Sequence, residues 1–148
     1  MRLALLTLLL WVPGLLAQTS FLGDVVLTTP LWRALRTFLP GTDVWWLVRP
    51  DAVPIVAPLV GAGRVLAFDK RGGDGGFGGL ARVASRLRAL EFDAAIAVQR
   101  SLRTAVTLAL AGIPERIGFA GAPGSPLYHH RVAQRGRHAR DRLLALAG

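Results

Sequence analysis

No cysteine occurs among the 148 residues, so disulfide frameworks, thiolate zinc sites and cysteine nucleophiles are excluded together. Lysine is almost absent as well: Lys70 is the only one among 18 basic residues, and the other 17 are Arg. Acidic residues number 9, which leaves a formal charge of +9. Arginine's planar fork suits phosphate and carboxylate ligands, but a genome rich in G and C produces the same bias without any such ligand, so position has to decide. No G-x-S-x-G occurs, and no Ser-His-Asp arrangement stands out. His129 and His130 are adjacent and His138 lies further on, with no i, i+4 pair and no carboxylate beside them. No metal site is expected from that spacing, and His129 or His130 is left as a surface residue or a hydrogen-bonding group for a polar ligand.

What is present is a chain with 52% apolar residues, enough to bury one core of ordinary domain size. The opening stretch, MRLALLTLLLWVPGLLA, has the basic start and apolar run of a secretory signal. Leu15 stands where the cleavage motif needs a small residue, and Pro13 and Gly14 break the run short of the roughly 20 residues a membrane span needs. A third reading makes GLLAQTS the first buried strand and residues 1–13 an apolar extension or a start codon placed too early.

Strand-like and helix-like segments then alternate about five times. Leu27, Leu31, Leu35 and Phe38 recur at helical spacing, and Thr29 with Pro30 is a good cap and first-turn pair. The regular helix is therefore expected from Pro30, with an approach turn over 23–28. VWWLVR, RVLAFD, DAAIAVQ and RIGFA read as further strands. LARVASRLRALEF and SLRTAVTLALAG read as amphipathic helices, and HARDRLLALAG as a last one. KRGGDGGFGG, the one low-complexity segment, is expected to be mobile or ordered by a ligand. Alternation of this kind predicts an α/β, Rossmann-like fold: a parallel sheet with helices on both faces.

In such sheets ligands sit beyond the carboxyl ends of the strands, so the segments after each strand are the ones to inspect: 19–24, 49–51, 69–79, 99–103 and 121–131. The glycine loop contains G-x-G-x-x-G as Gly73, Gly75 and Gly78, but the acidic residue that should close the next strand is missing, because Gln99 stands there. A basic loop offering Lys70 and Arg71 to phosphates fits better than a dinucleotide site. QRSLRTA puts Gln99, Arg100 and Arg103 at a strand end and a first helical turn, as a plausible anion cradle or a plain solvated helix start. Asp24 reads either as a charge stabilised at a helix start, contributing roughly 0.3–1 kcal/mol, or as a base for a bound hydroxyl.

QTSFLGDVVLTTPLWRALR, VWWLVRP, RVLAFDKRG, FDAAIAVQRSLRTA, AGIPERIGFA, PLYHHRV and HARDRLLAL occur in an order and spacing that resembles the N-terminal half of the ADP-heptose:lipopolysaccharide heptosyltransferases, the bacterial glycosyltransferases of family nine. The most specific element is S-x-L-G-D-V-x-x-T-x-P, from Ser20 to Pro30, and the resemblance covers residues 15–148. It implies a GT-B architecture in which 14–148 is the N-terminal, acceptor-binding domain and a C-terminal domain holds ADP-heptose. It implies Asp24 as catalytic base in an inverting displacement, with no cofactor and no obligatory metal. Ser20, Gly23, Lys70, Arg71, Gln99, Arg100, Arg103 and Arg131 are then the expected contacts to the acceptor. The partners implied are the lipid A and inner-core lipopolysaccharide acceptor, the inner-membrane surface and the C-terminal domain, and not nucleic acid. The location implied is the cytoplasmic face of the inner membrane. The family's basic segment after the third strand is mainly glycine here, which leaves the acceptor's identity open. A non-catalytic module that holds an anionic glycolipid is the alternative, ahead of a dinucleotide-binding oxidoreductase domain.

Overall fold

A computed structural model of the protein describes residues 13–38 and 43–133. The element order is β1 (Gly14–Gln18), α1 (Leu22–Phe38), β2 (Val44–Val48), α2 (Val53–Val60), β3 (Val65–Ala67), α3 (Gly76–Ala89), β4 (Ala94–Ala97), α4 (Leu102–Leu110), β5 (Glu115–Phe119) and β6 (His130–Val132), with short 3-10 turns before α2, before β3 and before β6. The six strands form one sheet in the order β3-β2-β1-β4-β5-β6, and every pairing is parallel. The expected α/β, Rossmann-like fold is the fold observed.

β1 is buried along its whole length and sits between β2 and β4, as the reading of GLLAQTS as a core strand required. Side chains alternate across the pleat, so one strand feeds two cores. Leu16, Trp46, Val48, Ile96, Ile117 and Phe119 pack with Val25, Leu31, Trp32 and Leu35 of α1 and Val56 of α2 on one face. Leu15, Ala17, Leu47, Ala95 and Ala97 pack with Val83, Ala84 and Leu87 of α3 and Ala105 and Leu108 of α4 on the other. Strands covered on both faces read as continuous apolar runs, which is why VWWLV and AAIA show no polar alternation.

Three elements depart from expectation. α1 begins at Leu22, not at Pro30, and carries Pro30 inside it. An interior proline costs about 3 kcal/mol through its lost N–H and its clash with the carbonyl four residues back. Burial outweighs this: Val25, Leu31, Trp32 and Leu35 lie on one face on both sides of the proline, and such side chains contribute roughly 1.5–3 kcal/mol each. The Thr29 hydroxyl also donates to the Val26 carbonyl, the acceptor that the missing Pro30 amide would have satisfied. Asp24 therefore lies in the first turn of a helix rather than in an approach loop.

The second departure is the glycine segment. α3 starts inside it, at Gly76, and the preceding turn is closed from within. The Asp69 amide donates to Asp74 Oδ2 (2.9 Å) and the Asp74 amide to the Asp69 carbonyl (2.9 Å). A Cβ on Gly79 would overlap the Asp74 backbone, and one on Gly72 the Asp69 carboxylate. These glycines serve close packing. The third is β6, which lies at the end of the 121–131 segment, where no strand was assigned from the sequence, and continues the sheet beyond β5. The last helix expected, over 138–148, and residues 1–12 of the extension lie outside the described residues.

Candidate functional site: a cation-lined cleft at the strand ends

Between β1 and β4 the strand order changes direction, and the chain leaves the sheet toward α1 on one face and α4 on the other. A parallel sheet opens a crevice at such a switch point, outside the carboxyl ends of its strands. The crevice here is a cleft of about 580 Å³. Its walls come from four strand ends: Thr19 to Phe21 after β1, Arg49 to Asp51 after β2, Phe68 to Arg71 after β3 and Gln99 to Ser101 after β4. Four of the five segments singled out from the sequence thus converge. The fifth, 121–131, meets the site at its rim, where Arg100 Nη2 donates to the Gly121 carbonyl (2.8 Å).

Beneath the cleft runs a network of neutral polar groups. Gln99 Oε1 accepts from the Thr19 amide (2.9 Å), while Gln99 Nε2 donates to Thr104 Oγ1 (2.8 Å) and to the Thr19 hydroxyl. From the opposite face, Gln18 Oε1 accepts from the Ser20 amide (3.3 Å) and Gln18 Nε2 donates to Thr28 Oγ1 (3.1 Å). Two glutamines at the ends of two strands therefore fix the β1–α1 turn, and their hydrogen-bonding capacity is largely spent doing so. Thr104, fully buried, is the hub. Its oxygen receives Gln99 Nε2 and Lys70 Nζ (3.0 Å). That fills both acceptor positions of a hydroxyl and leaves its own O–H to donate to Thr19 Oγ1 (3.2 Å).

Lys70 enters this network as a cation with no anion beside it. Its ammonium donates to Ser101 Oγ and Thr104 Oγ1, each at 3.0 Å, and lies over the Phe68 ring at 5.6 Å. No carboxylate pairs with it among the described residues. Burial, with a smaller contribution from the Arg103 charge, pushes its pKa down from 10.5 to about 8. The two carboxylates in the cleft wall are engaged elsewhere: Asp51 with Arg49 (3.2 Å), and Asp69 with the Gly73 amide (3.3 Å). A desolvated ammonium in a cleft wall, with no carboxylate beside it and with arginines around it, is what an anion-binding surface requires.

The remaining expected residues divide. Ser20, Arg71 and Arg100 line the cleft beside Lys70 and Gln99. Arg103 supports it from below, donating through Nη2 to the carbonyls of Asp74 (3.0 Å) and Gly76 (2.6 Å), which ties the glycine turn to α4. Gly23 and Asp24 lie in the first turn of α1, directly after the cleft-lining Phe21, and do not themselves line the cleft. The Asp24 carboxylate makes no hydrogen bond or ion pair among the described residues. Arg131, exposed on β6, pairs across the sheet with Gly118 and is away from the cleft. His130 Nε2 meets Glu115 Oε2 at 2.6 Å and His129 Nδ1 accepts from the Arg116 amide (3.2 Å), so both stabilise the β5–β6 edge. The glycine fingerprint follows β3, an outer strand, and not the central strand from which a dinucleotide site opens.

Sequence reasoning missed Thr104, and it named no role for Ser101 or Arg49 although both fall in the segments it selected. Ser101 and Thr104 did leave a signal: Ser-x-x-Thr at a strand-to-helix junction is an N-cap pattern, and Ser101 Oγ does accept from the Thr104 amide (3.2 Å).

The fold and cleft define a Rossmann-like α/β domain with a cationic site at its topological switch point. No protein-family model matches the chain, and no curated protein matches it by sequence. Solved structures do. A family 9 glycosyl transferase from Veillonella parvula DSM 2008 superposes with a TM-score of 0.82 at 22% identity over 91% of this chain and 40% of that one. The E. coli ADP-heptose lps heptosyltransferase II gives 0.78 at 20% identity over 92% of this chain and 40% of that one. The E. coli heptosyltransferase WaaC with ADP-2-deoxy-2-fluoro heptose gives 0.71 at 20% over 91% and 47%. At these identities the likeness is one of fold, and it is to the group of proteins that the Ser20–Pro30 pattern resembles. The chain spans 40 to 47% of the length of these structures.

Proposed function

We propose that this chain is the acceptor-binding domain of an inverting glycosyltransferase that moves heptose from ADP-heptose to the lipopolysaccharide inner core. The observation that carries the reading is the cleft: Lys70, Arg71, Arg49 and Arg100 converge at the switch point of a fold shared with heptosyltransferases. Acidic sugars and phosphates of an inner core suit such cations, which bind them by charge-assisted and often bidentate hydrogen bonds. Ser20 offers a hydroxyl to the acceptor, and Gln99 holds the turn on which Ser20 sits. Arg103 acts through the glycine turn, and Arg131 would meet only an extended acceptor.

In this reading Asp24 is the base. Its carboxylate takes the proton of the acceptor hydroxyl while that oxygen attacks the anomeric carbon. The bond from that carbon to the ADP oxygen breaks, and the configuration inverts. A second domain supplies the nucleotide-sugar site, so the chain alone is expected to show no transfer, and no cofactor is needed beyond the donor substrate. The acceptor is lipid-linked, which places the working protein against the inner-membrane surface. No helix among the described residues is long and apolar enough to cross a membrane.

The test is transfer from ADP-heptose to a lipid A–inner-core acceptor, with this chain joined to a C-terminal domain of the same family. Restored transfer that Asp24→Asn lowers by about a thousandfold or more supports the reading; removing a catalytic base typically costs about 10²–10⁴. Full activity in Asp24→Asn, or robust transfer by the lone chain, overturns it. One observation favours a second reading, a non-catalytic module for anionic glycolipid: the cations line the cleft and Asp24 does not. Lipopolysaccharide binding that survives Asp24→Asn, with no transfer in any pairing, selects that module.

A further inference from the structure

Lys70 is the only lysine of the chain, and its surroundings differ from those of an ordinary surface amine. Two of its N–H groups are held by Ser101 Oγ and Thr104 Oγ1, each at 3.0 Å. On a tetrahedral nitrogen also bonded to Cε, that leaves one position, which holds a third proton when the amine is charged and a lone pair when it is neutral. Lys70 itself lines the cleft, in the wall of the space a ligand would occupy. The charged groups around it are Arg71 and Asp69 on its own turn, Arg49 and Asp51 after β2, Arg100 after β4 and Arg103 of α4. The two acids are committed to Arg49 and to the Gly73 amide. An uncompensated amine among arginines is set up to react with an electrophile that carries its own phosphate.

We propose that Lys70 is an acylation site whose donor is a small acyl phosphate drawn in by the arginines of the cleft. The amine nitrogen attacks the acyl carbon and a C–N bond forms. The bond from that carbon to the phosphate oxygen breaks, and the proton lost by nitrogen leaves with the phosphate as hydrogen phosphate. No oxidant, reductant or further reactant is required. The product is a neutral amide in place of the central cation, with the acyl group standing in the cleft, so acylation closes the anion site. The pKa of about 8 serves the chemistry, because the neutral form is the nucleophile. At pH 7.5 such an amine is roughly one-quarter neutral, against roughly one part in a thousand for an ordinary lysine. Lower basicity weakens the nucleophile, which leaves an advantage of about tenfold.

The experiment is incubation of the whole chain with acetyl phosphate at pH 7.5, followed by peptide mass spectrometry. The expected result is acetylation of Lys70 about tenfold faster than of Nα-acetyl-lysine amide, with the chain's other amine, at its N-terminus, as internal reference. Inorganic phosphate should slow the reaction by competition, Arg71→Gln should raise the acetyl phosphate concentration needed for half-maximal rate, and urea-unfolded chain should lose the acceleration. A Lys70 rate within twofold of the free amino acid, an equal rate in folded and unfolded chain, or indifference to phosphate overturns the proposal. None of these readouts uses glycosyl transfer, so the proposal stands or falls separately from the transferase reading.

Discussion

Replacing Lys70 with methionine isolates what the buried charge contributes to stability. Methionine keeps most of the unbranched stem and removes the ammonium that lies over the Phe68 ring. Ser101 Oγ still accepts from the Thr104 amide and Thr104 Oγ1 from Gln99, so neither hydroxyl is orphaned. In the parent the folded pKa is about 8 against 10.5 in the unfolded chain. Below pH 8 both states carry the proton, and the penalty for burying it is fully present. Between pH 8 and 10.5 the unfolded chain holds a proton that the folded chain has released, so this group's contribution to folding stability rises with pH across that window. A gap of that width corresponds to about 3 kcal/mol at roughly 1.36 kcal/mol per unit, and solvent screening of a half-buried ammonium reduces it to ~1–2 kcal/mol. Lys70→Met lacks the term. Urea denaturation of both proteins from pH 7 to pH 10.5 should therefore show their difference moving by about 1–2 kcal/mol in the parent's favour. The common effect of the other basic residues cancels in the comparison. A difference that stays constant across the window would refute the claim that Lys70 is a desolvated, uncompensated cation.

Other perturbations probe the frame around it. Gln99→Leu removes the amide that joins the ends of β1 and β4 and leaves the Thr19 amide unpaired, so a loss of about 2–3 kcal/mol is expected in denaturant titration. Gly118→Ala places a methyl group into the Tyr128 ring and should cost about 1–3 kcal/mol by overpacking, read as a lower midpoint with an unchanged denaturant slope. Arg103→Ala cuts both ties from α4 to the glycine turn; limited proteolysis within 70–76 should accelerate severalfold while global stability changes by about 1 kcal/mol or less. Asp24→Asn should leave the unfolding midpoint nearly unchanged, because its carboxylate has no partner among the described residues and a helix-start charge contributes only about 0.3–1 kcal/mol.

The strands were legible because burial on both faces writes uninterrupted apolar runs, and VWWLV or AAIA have no other easy home. From alternation came a parallel sheet, and from a parallel sheet came the places to look, so five strand-end segments could be selected before their neighbours in space were known, and four of them converge. Local rules failed where a distant contact outvoted them. Thr29-Pro30 is a sound helix start in isolation, yet it lies mid-helix because Val25 on one side of it and Leu31, Trp32 and Leu35 on the other share one core. The glycine turn looked slack because the sequence shows absent side chains and not the Asp74 backbone that fills their space. β6 is three residues long and half-exposed, and carries too little pattern to separate it from a loop.

The candidate site divides along the same line. Charges could be nominated from the sequence, since a cation after a strand end is visible there. The neutral groups that decide what those charges do could not be, because Thr104 matters only through bonds reaching to Gln99, Thr19 and Lys70 across three segments of chain. Gln99 shows the difference most sharply. Its type and place suggested a ligand contact, but both ends of its amide already hold Thr19 of the β1–α1 turn. If the cleft takes an anionic acceptor, Gln99 acts by keeping Ser20 and the start of α1 in register with Lys70, and Asp24 is positioned with them. Gln99→Glu puts that to the test, since a carboxylate can accept from the Thr19 amide but cannot donate to Thr104. A variant in which phosphate binding falls at least tenfold while the fold persists would assign it the positioning role, and unchanged phosphate binding would remove it.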